Sequence, residues 1–185
     1  VAKKEKSSAK AAESTKPSFS ISEFILASKS QLPSNSLNYI EKIENSVKRG
    51  DVKEQQIIAY NTLASFWKDS VNNPDINLFY VAAASKLANS EKNLTFAAQL
   101  ILDNLRNEGD LSKRTWKAAQ AAELFEKAIE LNPANDDLKV GLGSCFVFGG
   151  GMAGDAQETM KGIQQLLQVV KKDSANMKAQ LVLGI

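Results

Sequence analysis

The chain has 185 residues, 43% hydrophobic but only 7% aromatic, with four prolines, which suits one all-helical domain with short loops. Its 23 Lys plus Arg nearly balance 21 Asp plus Glu, so no dominant electrostatic pull toward nucleic acid or a membrane surface is expected. With no histidine and one cysteine, Cys145, the composition excludes an internal disulfide, a histidine-ligated zinc site and any Ser-His or Cys-His catalytic arrangement.

Residues 1–18 carry small, charged or hydroxyl side chains and little else beyond Val1 and Pro17. They hold too little apolar surface to offset the entropy of ordering, which predicts a flexible basic linker rather than a nucleic-acid contact. Ser20 and Glu23 have the spacing of a capping box, and Phe24, Ile25 and Leu26 follow, predicting a short helix before Pro33. Leu37, Ile40, Ile43 and Val47 recur at three- and four-residue steps up to Arg49 and Gly50, a second helix with a glycine stop. Residues 19–56 are therefore expected to form N-terminal capping helices. The chain opens without methionine and closes inside an apolar helical pattern, so it is expected to be a piece of a longer protein. No run of about 18 apolar residues exists to form a spanning helix.

From Ile57 a long period sets in. Tyr60, Leu63, Ala64 and Trp67 have counterparts 34 residues on in Leu94, Ala97, Ala98 and Ile101, and Tyr80 and Ala83 fall on the intervening helix. Ala121, Phe125, Ala128 and Pro133 are followed, after a turn near Asn135, by Leu142, Gly143 and Phe146. This order of small, aromatic, small, proline, then Leu-Gly and aromatic resembles the tetratricopeptide repeat (TPR). The resemblance implies an all-α fold, a right-handed superhelix of antiparallel helix pairs (an α-solenoid). Its units would span 57–90, 91–135 and 136–176, with a further one starting at 177–185, where Leu183 and Gly184 repeat the Leu-Gly pair. The second helices of the second and third units arrive late, placing insertions at 106–115 and 148–158, the latter closed by a capping pair of Asp155 and Glu158. Ala64, Ala98 and Gly143 would lie where two helices cross too closely for a large side chain.

In such arrays the first helix of each pair lines a concave face that takes a protein or peptide partner. Carried onto this chain, the resemblance implies that Asn61, Ser65 and Lys68 line that face from the first unit, beside Ile58 and Asp69. Lys92, Thr95, Gln99 and Asp103, beside Leu102, follow from the second, and Val140, Ser144, Val147 and Phe148, beside Asp137, from the third. The places where a carboxylate clamp would need converging lysine, asparagine and arginine donors hold Asn61, Ser65, Phe96, Asp137 and Gly141, so no clamp is expected. The chain is also similar to bacterial envelope proteins in which an N-terminal membrane anchor precedes such repeats. That likeness implies a place on the periplasmic side of the inner membrane, with the cytoplasm as the alternative. The implied function is a non-catalytic interaction scaffold or co-chaperone-like adaptor with no cofactor and no metal; the alternative is a permanent structural subunit or an accessory domain of a longer enzyme.

Other features read more plainly. Gly149, Gly150, Gly151 and Gly154 lack the Lys-Ser/Thr of a phosphate loop and are expected to form a flexible connector. Asp103, Asp110, Arg106 and Arg114 are expected to form a surface salt-bridge cluster, and Asp136, Asp137, Glu123 and Glu126 to occupy helix starts and solvated faces. Trp67 and Cys145 are expected in the core, and Trp116 over the insertion or at a contact.

Overall fold

A computed structural model describes residues 19–49, 52–153 and 155–184. The linker at 1–18 and the glycine stop at Gly50 lie outside these residues. Among the described residues there is no strand; helices follow one another and pack mainly as sequence neighbours.

Local chemistry sets each boundary. Ser20 Oγ accepts from the Glu23 amide and opens α1 (Ile21–Lys29). After α2 (Ser34–Arg49), α3 (Lys53–Ser65) runs into a π-helical turn at Phe66–Ser70, which seats Trp67 fully in the core. Asn73 caps α4 (Pro74–Ala88), whose first residue is a proline where no amide is needed, and Asn89 ends it in the left-handed conformation. Ser90 caps α5 (Glu91–Arg106), and Asp110 caps α6 (Leu111–Leu131) with bonds to the Ser112 and Lys113 amides. α7 (Asp136–Ala153) and α8 (Ala156–Lys172) follow, the latter capped by Asp155 accepting from the Glu158 amide, and α9 (Met177–Leu183) is capped by Asn176.

The apolar interior falls into three groups. Ile25, Ile40, Leu63, Trp67, Ile76 and Tyr80 join α1 to α4. Leu94, Ile101, Leu105, Leu124, Phe125, Leu138 and Cys145 fill the space among α4, α5, α6 and α7. Val140, Leu166, Val169 and Ala179 join α7 to α8 and α9.

Most described residues of the two insertions are helical. Only residues 107–110 separate α5 from α6, and the added residues lengthen α6 at its start and α7 at its end and open α8 from its cap, Asp155. The glycines at 149–151 are helix rather than a flexible connector, with Gly149 and Gly150 buried within α7, and Gly154 lies outside the described residues. A Cβ on Gly149 would overlap the Ala118 methyl, and one on Gly141 would overlap the Phe125 ring. Across the other face, a Cβ on Gly143 would stand 2.9 Å from Leu166 Cγ, and one on Gly162 only 2.6 Å from the Gly143 carbonyl oxygen. Helices α6, α7 and α8 thus approach at distances that only hydrogen can fill.

Gly143→Leu is expected to lower stability by about 1–3 kcal/mol through overpacking, read as a lower thermal midpoint. Gly109→Ala, where nothing lies within 4 Å of the added carbon, should stay within about 0.5 kcal/mol of the parent.

Candidate functional site

Helix α5 carries two opposed stripes at helical spacing. Leu94, Ala97, Ala98, Ile101 and Leu105 are buried against the core. Lys92, Thr95, Phe96, Gln99, Leu102 and Arg106 face a groove of about 840 Å³ together with Val140, Gly141 and Ser144 of α7 and Lys178, Leu181 and Val182 of α9. Because Gly141 has no side chain, the Phe125 ring of α6 reaches the groove floor behind it. The rims are apolar and wet: Phe96 is 64% and Leu181 79% exposed.

The polar groups along this groove are unevenly satisfied. Glu91 Oε1 accepts from the Asn132 and Asn135 side-chain amides at 3.1 and 2.9 Å, and Asp137 pairs with Lys178 at 2.7 Å. Gln99 donates to Asp103 at 2.9 Å, and Ser144 Oγ donates to the Val140 carbonyl at 2.7 Å. Thr95 Oγ1 is buried without a hydrogen-bond partner. Arg106 lies over the Phe148 ring, 5.2 Å from its centroid.

The structure therefore brings Lys92, Thr95, Gln99, Val140 and Ser144 to one surface, with Asp103 on its edge. It does not bring Asn61, Ser65 and Lys68 there: they are exposed on α3 and its π-helical turn, which pack chiefly on α2 and α4. Ser65 borders a separate shallow depression with Tyr39 and Phe66. Val147 turns to α8, where its Cγ2 stands 3.1 Å from the place a Cβ on Gly162 would take, and Phe148 packs on the core beneath Arg106. Sequence reasoning passed over Arg106, Phe125, Leu181 and Val182 as groove residues. A legible signal existed for Arg106, since it continues the 92-95-96-99-102 stripe at helical spacing, whereas Phe125 arrives through the absence of a side chain on its neighbour.

A second polar cluster sits at the start of α6. Asp75, on the first turn of α4 and 7% exposed, is held by Lys117 at 2.7 Å and Lys113 at 2.7 Å, and Lys117, 2% exposed, also pairs with Glu108. Arg114 bonds the carbonyls of Glu108 and Phe148, and Asp110 serves as a helix cap. The four-residue surface cluster of Asp103, Asp110, Arg106 and Arg114 does not form, because each side chain has its own task. Lys113 also lies 4.6 Å from the Phe24 ring centroid, and Phe19 packs edge-on against Trp116 at 5.3 Å, tying the N-terminal segment to α6.

Burial pushes the Asp75 carboxyl up, but hydrogen bonds and charge from Lys113 and Lys117 outweigh it, so the group titrates below the usual carboxylate range. Glu108 follows the same balance, with Lys117 prevailing over desolvation. Asp75 raises the Lys113 ammonium above its ordinary value. Burial drives the Cys145 thiol far up, leaving it protonated and unreactive at neutral pH. Among the described residues, no group of three or more Cys, Asp or Glu is placed to hold a metal ion, and no helix is long and apolar enough to cross a membrane.

No family model, curated protein or solved structure matches this chain.

The two lowered carboxyls contribute stability that is complete above their unfolded values near 4 and disappears as pH falls through their lower folded values. The raised Lys113 contributes below its unfolded value near 10.5 and loses that only at higher pH. Unfolding free energy should therefore be level through neutral pH and fall below about pH 4. Asp75→Asn should cost about 3–5 kcal/mol at pH 7, since the buried Lys117 loses one of its two carboxylates, and should flatten part of the acid slope in denaturant titrations.

Proposed function

We propose that the protein is a non-catalytic binding scaffold, a TPR-like array that holds an apolar protein or peptide segment in the groove of α5, α7 and α9. The observation that carries this reading is the groove's composition. Its floor of Leu102, Phe125, Val140 and Gly141 is apolar, and its rims expose Phe96 and Leu181 to water. A concave apolar surface of that kind favours a partner that covers it.

The repeat reading is supported by α5 and α7, each of which packs most closely on the helix that follows it, and by the way α5, α7 and α9 turn one face each toward the same groove. In a right-handed TPR-like superhelix these are the first helices of their units. An assembly role at the bacterial envelope belongs to the same proposal and draws only on the sequence resemblance. As a permanent subunit, the alternative, the chain would use the same groove with a partner that does not dissociate.

The test is a display selection of ten-residue peptides on the full chain, followed by methyl NMR with the enriched peptide. Shifts should concentrate at Leu102, Val140, Leu181 and Val182, and Phe96→Asp should weaken binding at least about tenfold, or ~1.4 kcal/mol. Shifts confined to other faces, or equal affinity for Phe96→Asp, would refute the groove as the binding surface.

A further inference from the structure

The groove's carboxylates have hydrogen-bond donors, whereas two of its cations have no carboxylate partner among the described residues. Its carboxylates already have donors: the asparagine amides on Glu91 and Lys178 on Asp137. Asp103, one turn before Arg106 on the groove's edge, is held by Gln99. The cations Lys92 and Arg106 line the groove, and among the described residues neither has a carboxylate partner. They are 14 positions apart on α5, so the helical rise places them about 21 Å apart, near opposite ends of the groove. Between them lie Phe96 and Leu102, with Val140 and Gly141 of α7 across the floor.

Resting on the groove reading above, we propose that the groove selects an extended apolar segment of about seven residues with an acidic residue at each end. One carboxylate meets Lys92 and the other meets Arg106, each taking a charge-assisted hydrogen bond that no group of the chain supplies. A large apolar side chain at the middle of the segment lies on the floor of Leu102 and Val140, between the exposed Phe96 and Leu181. Arg106 is fixed for this task by its stacking on Phe148, which holds the guanidinium at the groove's end at little further entropic cost. A segment with basic ends would set two like charges against these cations.

Fluorescence anisotropy with end-blocked, labelled seven-residue peptides on the full chain tests this. Both peptides carry leucines and a central phenylalanine; one has aspartate at each end, the other lysine. The aspartate-ended peptide should bind on the order of tenfold more tightly at low salt, and the order should reverse in a Lys92→Glu, Arg106→Glu double variant of unchanged helicity. Lys92→Glu alone, at an exposed side chain, should shift the preference in the same direction by less. Equal affinity for the two peptides, or a preference unchanged by the charge reversals, would overturn the charge selection while leaving an apolar groove. Binding of neither peptide to either protein would remove the groove reading together with it.

Discussion

The structure depends on how closely α6, α7 and α8 approach one another. Gly149 lies against Ala118, Gly141 against Phe125, and Gly143 against Gly162 and Leu166, each where an added carbon would collide. Close packing at these points supplies dispersion contacts that looser helices would forfeit. It also sets the position of α7, and α7 provides the middle of the groove. The binding surface is in this sense a consequence of the opposite face: the glycines that let α7 sink onto α6 and α8 determine how deep Val140, Gly141 and Ser144 lie.

A different kind of constraint joins the N-terminal helices to the rest. The lengthened start of α6 carries Lys113, Trp116 and Lys117 across to Asp75, Phe19 and Phe24. Buried ion pairs add little net stability compared with apolar packing, but breaking one leaves a charge with nowhere to go. Lys117 is almost fully buried and satisfied by two carboxylates from different segments. It therefore fixes the relation between α4, α6 and the turn at Glu108 more strictly than apolar contacts would.

Much of this was legible in the sequence wherever the signal was local. The capping pairs Ser20 with Glu23 and Asp155 with Glu158 mark helix starts, and the small residues Ala64, Ala98 and Gly143 are all buried as the spacing implied. The insertions misled because glycine-rich and charged stretches ordinarily favour loops. In Phe148–Ala153 the backbone stays helical because close approach to α6 and α8 compensates for the low helix propensity of glycine. At the start of α6, Lys113 finds the buried Asp75 on α4 and Arg114 the carbonyls of Glu108 and Phe148, partners that no local pattern reveals. The groove was half legible: the exposed stripe of α5 follows from helical spacing, whereas the departure of Asn61, Ser65 and Lys68 depends on where α3 packs. The inward turn of Val147 depends on Gly162 across the crossing, 15 residues further along the chain.

If close approach at the glycines organises the array, then residues facing each other across it must be energetically coupled. The most direct measurement is a double-mutant cycle on Gly149→Ala and Ala118→Gly, followed by denaturant unfolding. Gly149→Ala alone should destabilise by about 1–3 kcal/mol, because its new methyl meets that of Ala118. In the Ala118→Gly background the same change should cost little, giving a coupling of about 1 kcal/mol or more. Additive effects, agreeing within about 0.5 kcal/mol, would mean that the two helices do not meet there and would contradict the packing on which the groove rests.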